Sequence, residues 1–356
     1  MSPMIILQVM FSRGLGGLER SFLDHATLLT ARGHTVHCLV ARNAKSLGEL
    51  ERLSADCGGR LQVHPVPTQG WAKLLLRYRL GKLLAALQPE VIVAHGAKTV
   101  SRLKPLRPRH VPLVAITHNA SPRLMGGTHL LALTAEMEQL YVARGFAPER
   151  IHRVPNVLPA RFAGIPQQPD RPLHQPLTVG VLARLVPKKG VDIFLRGLRL
   201  ALDQGLQLRA VIGGDGGESA ALRRLCSELK LDGQVEFLGW VAEPDRFYGA
   251  IDFLCVPSRD EPFGIVVLEG FAQGTPVVAA AVGGPRELIQ DGSNGLLFAA
   301  ADAPELAQAL RRAADGSLLA ALRRAAYAAL PRYAPAAVGH QLESVFERAR
   351  ADLRGD

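Results

Sequence analysis

Short apolar runs alternate with segments of helical periodicity along most of this chain, and the alternation breaks once, at AGIPQQPDRPLHQP (163–176). That break has four prolines in 14 residues and almost no apolar periodicity, so 161–176 reads as a linker. Before it, IILQVMF, HTVHCLVA, LQVHPVP, PEVIVAHG and VPLVAITHN read as strands. Leu18, Phe22, Ala26 and Leu29 fall at helical spacing between the first two, and Gly33 closes that helix. After the break, LTVGVLARL, LRAVIGG, VEFLGWV, DFLCVPS and GTPVVAAAVGG read as strands, with helices at 191–204 and 218–229. Strands alternating with helices on both sides predict an α/β protein of two doubly wound parallel-sheet domains, 1–160 and 177–333. At 334–356, Val338, Leu342, Val345, Phe346, Ala349 and Leu353 form the stripe of a last helix.

The stretch DEPFGIVVLEGFAQGTP (260–276) carries the chemistry. It reads as a loop and a helix start between two strands, with Glu261 in the loop and Glu269 on the helix. A helix start beside a strand's C-terminal end is where open α/β sheets bind anions. A carboxylate there repels a phosphate, so it serves another part of the ligand, such as hydroxyl groups. A ligand with both a diphosphate and hydroxyls, a nucleotide sugar, fits both halves of the unit.

Charge is placed unevenly. Residues 1–160 hold 20 Lys+Arg against 9 Asp+Glu, a net +11, and residues 161–356 hold 22 against 23, a net −1. The basic half suggests an anionic partner: a membrane surface, a phosphorylated glycan or nucleic acid. Nucleic acid is disfavoured, because aromatics are 5% of the chain and no reading motif occurs. SRLKPLRPRH (101–110), more loop than helix, is the best candidate for an anionic acceptor or lipid headgroups. The segment Trp71–Leu87, with Leu74, Tyr78 and Leu84 among its apolar residues, fits a core-facing helix and a membrane-surface helix alike. No apolar run approaches the ~20 residues that span a bilayer. The start, MSPMIILQVMFSRG, reads as a first strand and not a signal peptide. Cys38, Cys57, Cys226 and Cys255 show no CxxC pairing and read as reduced and structural in a cytosolic protein. Gly14–Gly17 fail the G-x-G-x-x-G pattern but allow close backbone approach to a ligand. His118, at a strand's C-terminal end, points toward the sheet's ligand crevice.

With these pieces in order, the chain resembles the retaining glycosyltransferases of family 4. The resemblance rests on GGLERSFLDHATLLTARGHTV, VPNV, ARLVPKKG, IGGDGGE, VEFLGWV, EPFGIVVLE, GTPVVAAAVGG and DGSNGLLF, spread over nearly the whole chain. Val157 and Ala183 stand where that family has glycine. The resemblance implies the GT-B fold: two Rossmann-like doubly wound domains facing a central cleft, with the last helix packing back on the first domain. It implies that Arg184 and Lys189 bind the donor diphosphate and offset charge on the leaving group, joined by backbone N–H groups of Phe263, Gly264, Ile265 and Val266. Glu269 would accept the ribose hydroxyls, and Glu261 would hold the transferred sugar and stabilise oxocarbenium charge. His118 would contact the sugar from the other domain. Gly16 and Gly17 would close on the phosphates or the acceptor. Val241 would hold the base through its backbone, and Gly214 and Asp215 line the same turn region.

The implied reaction moves a hexose, with retention, from a UDP- or GDP-sugar to a hydroxyl of a cell-envelope glycan or glycolipid such as lipopolysaccharide core. No metal or other cofactor is expected, since Arg184 and Lys189 supply the positive charge and no Asp-x-Asp occurs. The expected location is cytoplasmic, with peripheral contact at the inner face of the cell membrane. Two alternatives are a sugar-nucleotide epimerase on the same fold and a non-catalytic nucleotide-sugar-binding protein. The sugar, base, acceptor and oligomeric state are not encoded in any motif.

Overall fold

A computed structural model describes residues 2–14, 16–68, 76–162 and 172–353. It divides into two compact units, Met1–Ala160 with Tyr333–Asp356, and Arg161–Arg332.

The first unit runs β1 (Ile5–Met10), α1 (Gly17–Ala31), β2 (Thr35–Ala41), α2 (Leu47–Asp56), β3 (Leu61–Val66), α3 (Leu76–Leu87), β4 (Val91–His95), α4 (Ala97–Leu103), β5 (Leu113–Ile116), β6 (His129–Ala132), α5 (Ala135–Ala143) and β7 (Ile151–Arg153). Its seven strands are parallel, in the order β3-β2-β1-β4-β5-β6-β7. Helices cover both faces of such a sheet, so central strands read as nearly unbroken apolar runs. All of β4 and β5 is buried, and so is β1 apart from Ile5. Pro65 lies in β3, an edge strand, where its missing N–H costs no ladder bond.

The second unit runs β8 (Leu177–Leu182), α6 (Val191–Asp203), β9 (Leu208–Gly213), α7 (Ser219–Glu228), β10 (Val235–Gly239), α8 (Pro244–Gly249), β11 (Phe253–Val256), α9 (Ile265–Ala272), β12 (Val277–Ala280), α10 (Gly283–Leu288), β13 (Leu296–Phe298), α11 (Ala303–Ala313) and α12 (Gly316–Ala328). Its six strands are also parallel, in the order β10-β9-β8-β11-β12-β13. The last helix, α13 (Pro335–Asp352), belongs to the first unit. There Glu343 pairs with Arg32 at 2.6 Å and His34 at 3.0 Å, and Arg350 pairs with Glu90 at 3.0 Å. Val338, Leu342, Val345, Phe346 and Ala349 are buried beneath it.

Some expectations need correction. Tyr78 is not on the apolar face of α3: it is 61% exposed, with Lys82 4.8 Å from its ring, and Leu76, Leu80 and Leu84 form the buried stripe. The first five residues of that segment, Trp71–Leu75, and most of the Pro-rich linker, lie outside the described residues. Gly283 and Gly284 open α10 instead of ending β12. In 101–110, the first three residues finish α4 and the rest is loop, so the stretch is more loop than helix, as its sequence predicts.

Candidate active site

In a doubly wound sheet, ligands bind outside the strands' C-terminal ends where the strand order reverses. In the second unit that point lies between β8 and β11. The loop after β8 carries Arg184 and Lys189, and the loop after β11 carries Glu261. Close backbone approach draws the two loops together. Gly190 is left-handed at φ +64°, and a Cβ there would lie 2.0 Å from the Pro257 carbonyl oxygen. The Arg259 amide donates to the Lys188 carbonyl at 2.8 Å. The Lys189 ammonium thereby reaches Oε2 of Glu261, which also accepts from the Ser258 hydroxyl at 3.2 Å. Glu261 is buried, a position costly for a carboxylate unless it is paired and hydrogen-bonded.

The Glu261 loop is held from behind by Gly283 and Gly284. The Gly284 amide donates to the Glu261 carbonyl at 2.9 Å, and a Cβ on Gly284 would lie 1.9 Å from the Phe263 carbonyl oxygen. Phe263 is buried, and Gly264, left-handed at φ +84°, turns the chain into α9. Among the described residues no side chain caps that helix, so the amides around Ile265 and Val266 are open to an anion. Glu269, on the second turn of α9, is a buried carboxylate on an otherwise apolar helix. Arg161 donates to its Oε1 at 2.6 Å and the Tyr248 hydroxyl to its Oε2 at 2.9 Å. Burial and the Glu269 charge hold the Tyr248 hydroxyl protonated far above the ordinary phenol range.

Arg184 is exposed and makes no ion pair among the described residues. Beside it the β9 turn passes close: Gly214 has φ +127°, and a Cβ there would lie 1.8 Å from the Ala183 carbonyl oxygen. Asp215 serves its own turn, bonding the Ser219 hydroxyl and the Gly216 amide, both at 2.7 Å. Val241 packs over Gly213. Arg184, Lys189, Gly214, Val241, Glu261, Phe263, Gly264, Ile265, Val266 and Glu269 thus all belong to the second unit.

Gly16, Gly17 and His118 belong to the first unit, whose strand order reverses between β1 and β4. Gly17 opens α1, and a Cβ on it would meet nothing within 4 Å. His118 stacks on His95 at 5.3 Å between ring centres, and their ring nitrogens are 3.2 Å apart. His95 in turn reaches Gln8 at 3.0 Å, and His25 lies 5.5 Å from it edge-on. Burial, then neighbouring imidazoles, hold His118 and His95 well below the ordinary histidine range, so both are neutral at pH 7. A neutral His118 can donate or accept a hydrogen bond. Sequence reading missed the supporting residues Tyr248, Arg161, Ser258, His95 and Gln8. Gln8, His95 and Ser258 sit on or beside strands that the sequence predicts, Arg161 opens the expected linker, and nothing in the spacing ties any of the five to its partner.

The model of glycosyl transferases group 1 matches residues 166–329, and the model of glycosyltransferase family 4 matches residues 15–161. The chain belongs to the family 4, group 1 glycosyltransferases. It is similar to an exopolysaccharide phosphotransferase of Streptomyces coelicolor, 31% identical over 74% of this chain and 29% of that one. It is also similar to a lipopolysaccharide core biosynthesis glycosyltransferase of Rhizobium meliloti, 27% identical over 85% of this chain and 86% of that one. The chain spans less than half the length of most of the curated relatives it matches, among them 29%, 43% and 41% of the first three. Among solved structures, Anabaena HepE in complex with UDP-glucose superposes with a TM-score of 0.81 at 23% identity, over 97% of this chain and 100% of that one. That likeness speaks for the fold, and the fold is GT-B.

Proposed function

We propose that this protein transfers a hexose, with retention, from a UDP- or GDP-sugar to a hydroxyl of a cell-envelope glycan or glycolipid, such as lipopolysaccharide core. One observation carries the reading: the switch point of the second sheet gathers two cations, Arg184 and Lys189, with two buried carboxylates, Glu261 and Glu269. The cations and the uncapped start of α9 suit a diphosphate, and the carboxylates suit sugar and ribose hydroxyls. As the bond to the leaving diphosphate breaks, charge grows on its oxygens, and Arg184 with Lys189 stabilises it. Lys189 must then loosen its hold on Glu261, freeing that carboxylate for the sugar. The curated relatives include a lipopolysaccharide core enzyme, which supports an envelope acceptor.

Incubation with UDP-glucose or GDP-mannose and a lipopolysaccharide core acceptor should release the nucleoside diphosphate only when acceptor is present. Proton NMR of the product should show the donor's anomeric configuration. Conversion of free nucleotide sugar without acceptor would favour an epimerase.

In this reading the two cations replace a metal, so a chelator leaves the rate unchanged. Loss of activity restored by manganese would overturn that. Attack comes from the same face as departure, with phosphate assistance. Double displacement instead needs a carboxylate nucleophile ~5 Å from its partner. A trapped glycosyl ester on Glu261 would replace front-face attack with double displacement.

The basic first unit is read as touching an anionic membrane surface from the cytoplasmic side. No helix among the described residues is long and apolar enough to cross a membrane. Flotation with anionic but not neutral vesicles would support the contact.

A further inference from the structure

A second basic site lies in the first unit. Three connections run into the N-terminal ends of neighbouring strands: residues 104–109 lead to β5, residues 125–128 to β6 and residues 145–150 to β7. Together they enclose a pocket of about 590 Å³. It opens at the end of the sheet opposite to His95, His118 and the glycines of α1, so it is separate from the crevice at the strands' C-terminal ends.

Lys104, Arg107, Arg109 and Arg150 line this pocket, and none of its lining residues is acidic. None of the four makes an ion pair among the described residues. Arg107 is half-buried and fixed: Nη1 donates to the carbonyls of Pro108 at 3.2 Å, Arg109 at 2.9 Å and Val111 at 2.9 Å. Its charge is therefore held in place by dipoles and left without a counter-charge. Burial pulls its pKa below the ordinary guanidinium value. Four like charges around one cavity repel one another, and a bound anion relieves that cost. Met125 and Phe146 supply an apolar wall beside them.

We propose that this pocket binds a phosphomonoester or diphosphate group, at a site distinct from the donor site and independent of the glycosyl-transfer reading. Planar guanidinium forks and a lysine suit an oxyanion of charge −2 or more. The volume exceeds what a lone phosphate needs and falls in the range of about 300–1,000 Å³ typical of ligand sites. The phosphate therefore comes with a body attached, in solution or on a lipid.

The test uses the full chain and two arms. In one, calorimetry follows titration with glycerol 3-phosphate, a monoester, because pyrophosphate would also suit the donor site. In the other, flotation is measured with phosphatidylcholine vesicles carrying phosphatidic acid, a monoester headgroup, or phosphatidylglycerol, a diester. The double substitution Lys104→Gln, Arg150→Gln is compared with a charge-matched control on exposed residues, Lys45→Gln, Arg60→Gln. The wild type should bind in at least one arm, with Kd below about 1 mM in solution. The pocket variant should bind about tenfold more weakly, with the control unchanged. Binding in solution points to a soluble phosphate, and flotation with phosphatidic acid alone points to a lipid-borne one. No binding in either arm, equal flotation with both anionic lipids, or equal loss in the control overturns the site. If the double variant does not fold, Arg109→Gln, on an exposed side chain, carries the same comparison.

Discussion

The Lys189 ammonium is hydrogen-bonded to the Glu261 carboxylate across a separation of 72 residues. Both side chains are largely buried, at 14% and 10% exposure. The two groups proposed for the diphosphate and the sugar therefore neutralise each other when no donor is bound, and the donor must compete with that pairing.

Breaking this pair from one side should be worse than removing both charges. Lys189→Met should cost about 2–3 kcal/mol of stability by leaving Glu261 buried and unpaired. Adding Glu261→Gln should recover part of the loss, giving a coupling of about 1 kcal/mol or more. Urea denaturation of the four proteins measures it. Strict additivity would mean that water already screens the pair.

Gly284→Ala should damage the site more than the fold. Its new methyl must displace the Phe263 carbonyl, 1.9 Å away, and with it the loop that carries Glu261. Affinity for whichever nucleotide sugar the wild type binds should fall about tenfold or more while far-UV circular dichroism is retained. Unchanged affinity would separate that loop from donor binding.

The order of strands and helices was legible because both sheets are covered on their two faces, which makes their strands apolar runs. The helices α11 and α12 went unassigned, although Asp302 and Asp315 cap them through the amides of Glu305 and of Ser317 and Leu318. The signal is present in α11, where Leu306, Leu310 and Ala313 form a buried stripe opposite Glu305, Arg311 and Arg312, but no motif draws attention to it. Within the site, Glu261 and Glu269 were legible from spacing and motif. The partners that Glu269 finds, Tyr248 and Arg161, were not, because they come from 21 and 108 residues away and only the fold joins them.

The histidines of the first unit should make the protein acid-sensitive well above the carboxylate range. Burial lowers His25 from 6.5 to about 4, and His95 and His118 are also depressed. Below about pH 6.5 the unfolded chain takes up protons that the folded one refuses, so stability falls as pH drops toward 4. Denaturation midpoints at several pH values should show this slope, and His25→Gln should flatten it. A slope unchanged by the substitution would assign it to other groups.

The last helix should be required by the first unit. Arg32 and His34 hold the buried Glu343 carboxylate below its ordinary range. That stabilisation is complete above about pH 4.5 and is lost as pH falls through the depressed value. At pH 7, Glu343→Ala should cost about 3 kcal/mol by stranding both partners, and ending the chain at Ala334 should cost more. A truncated protein that melts like the full chain would show that α13 is dispensable.

The most direct measurement is saturation-transfer NMR with UDP-, GDP- and ADP-sugars on the wild type, Lys189→Ala and Glu261→Ala. One donor should receive saturation at both its base and its sugar protons. Lys189→Ala should weaken the signal throughout, while Glu261→Ala should weaken the sugar protons more than the base. If no nucleotide sugar binds, or binding is indifferent to both substitutions, the second sheet's switch point is not a donor site.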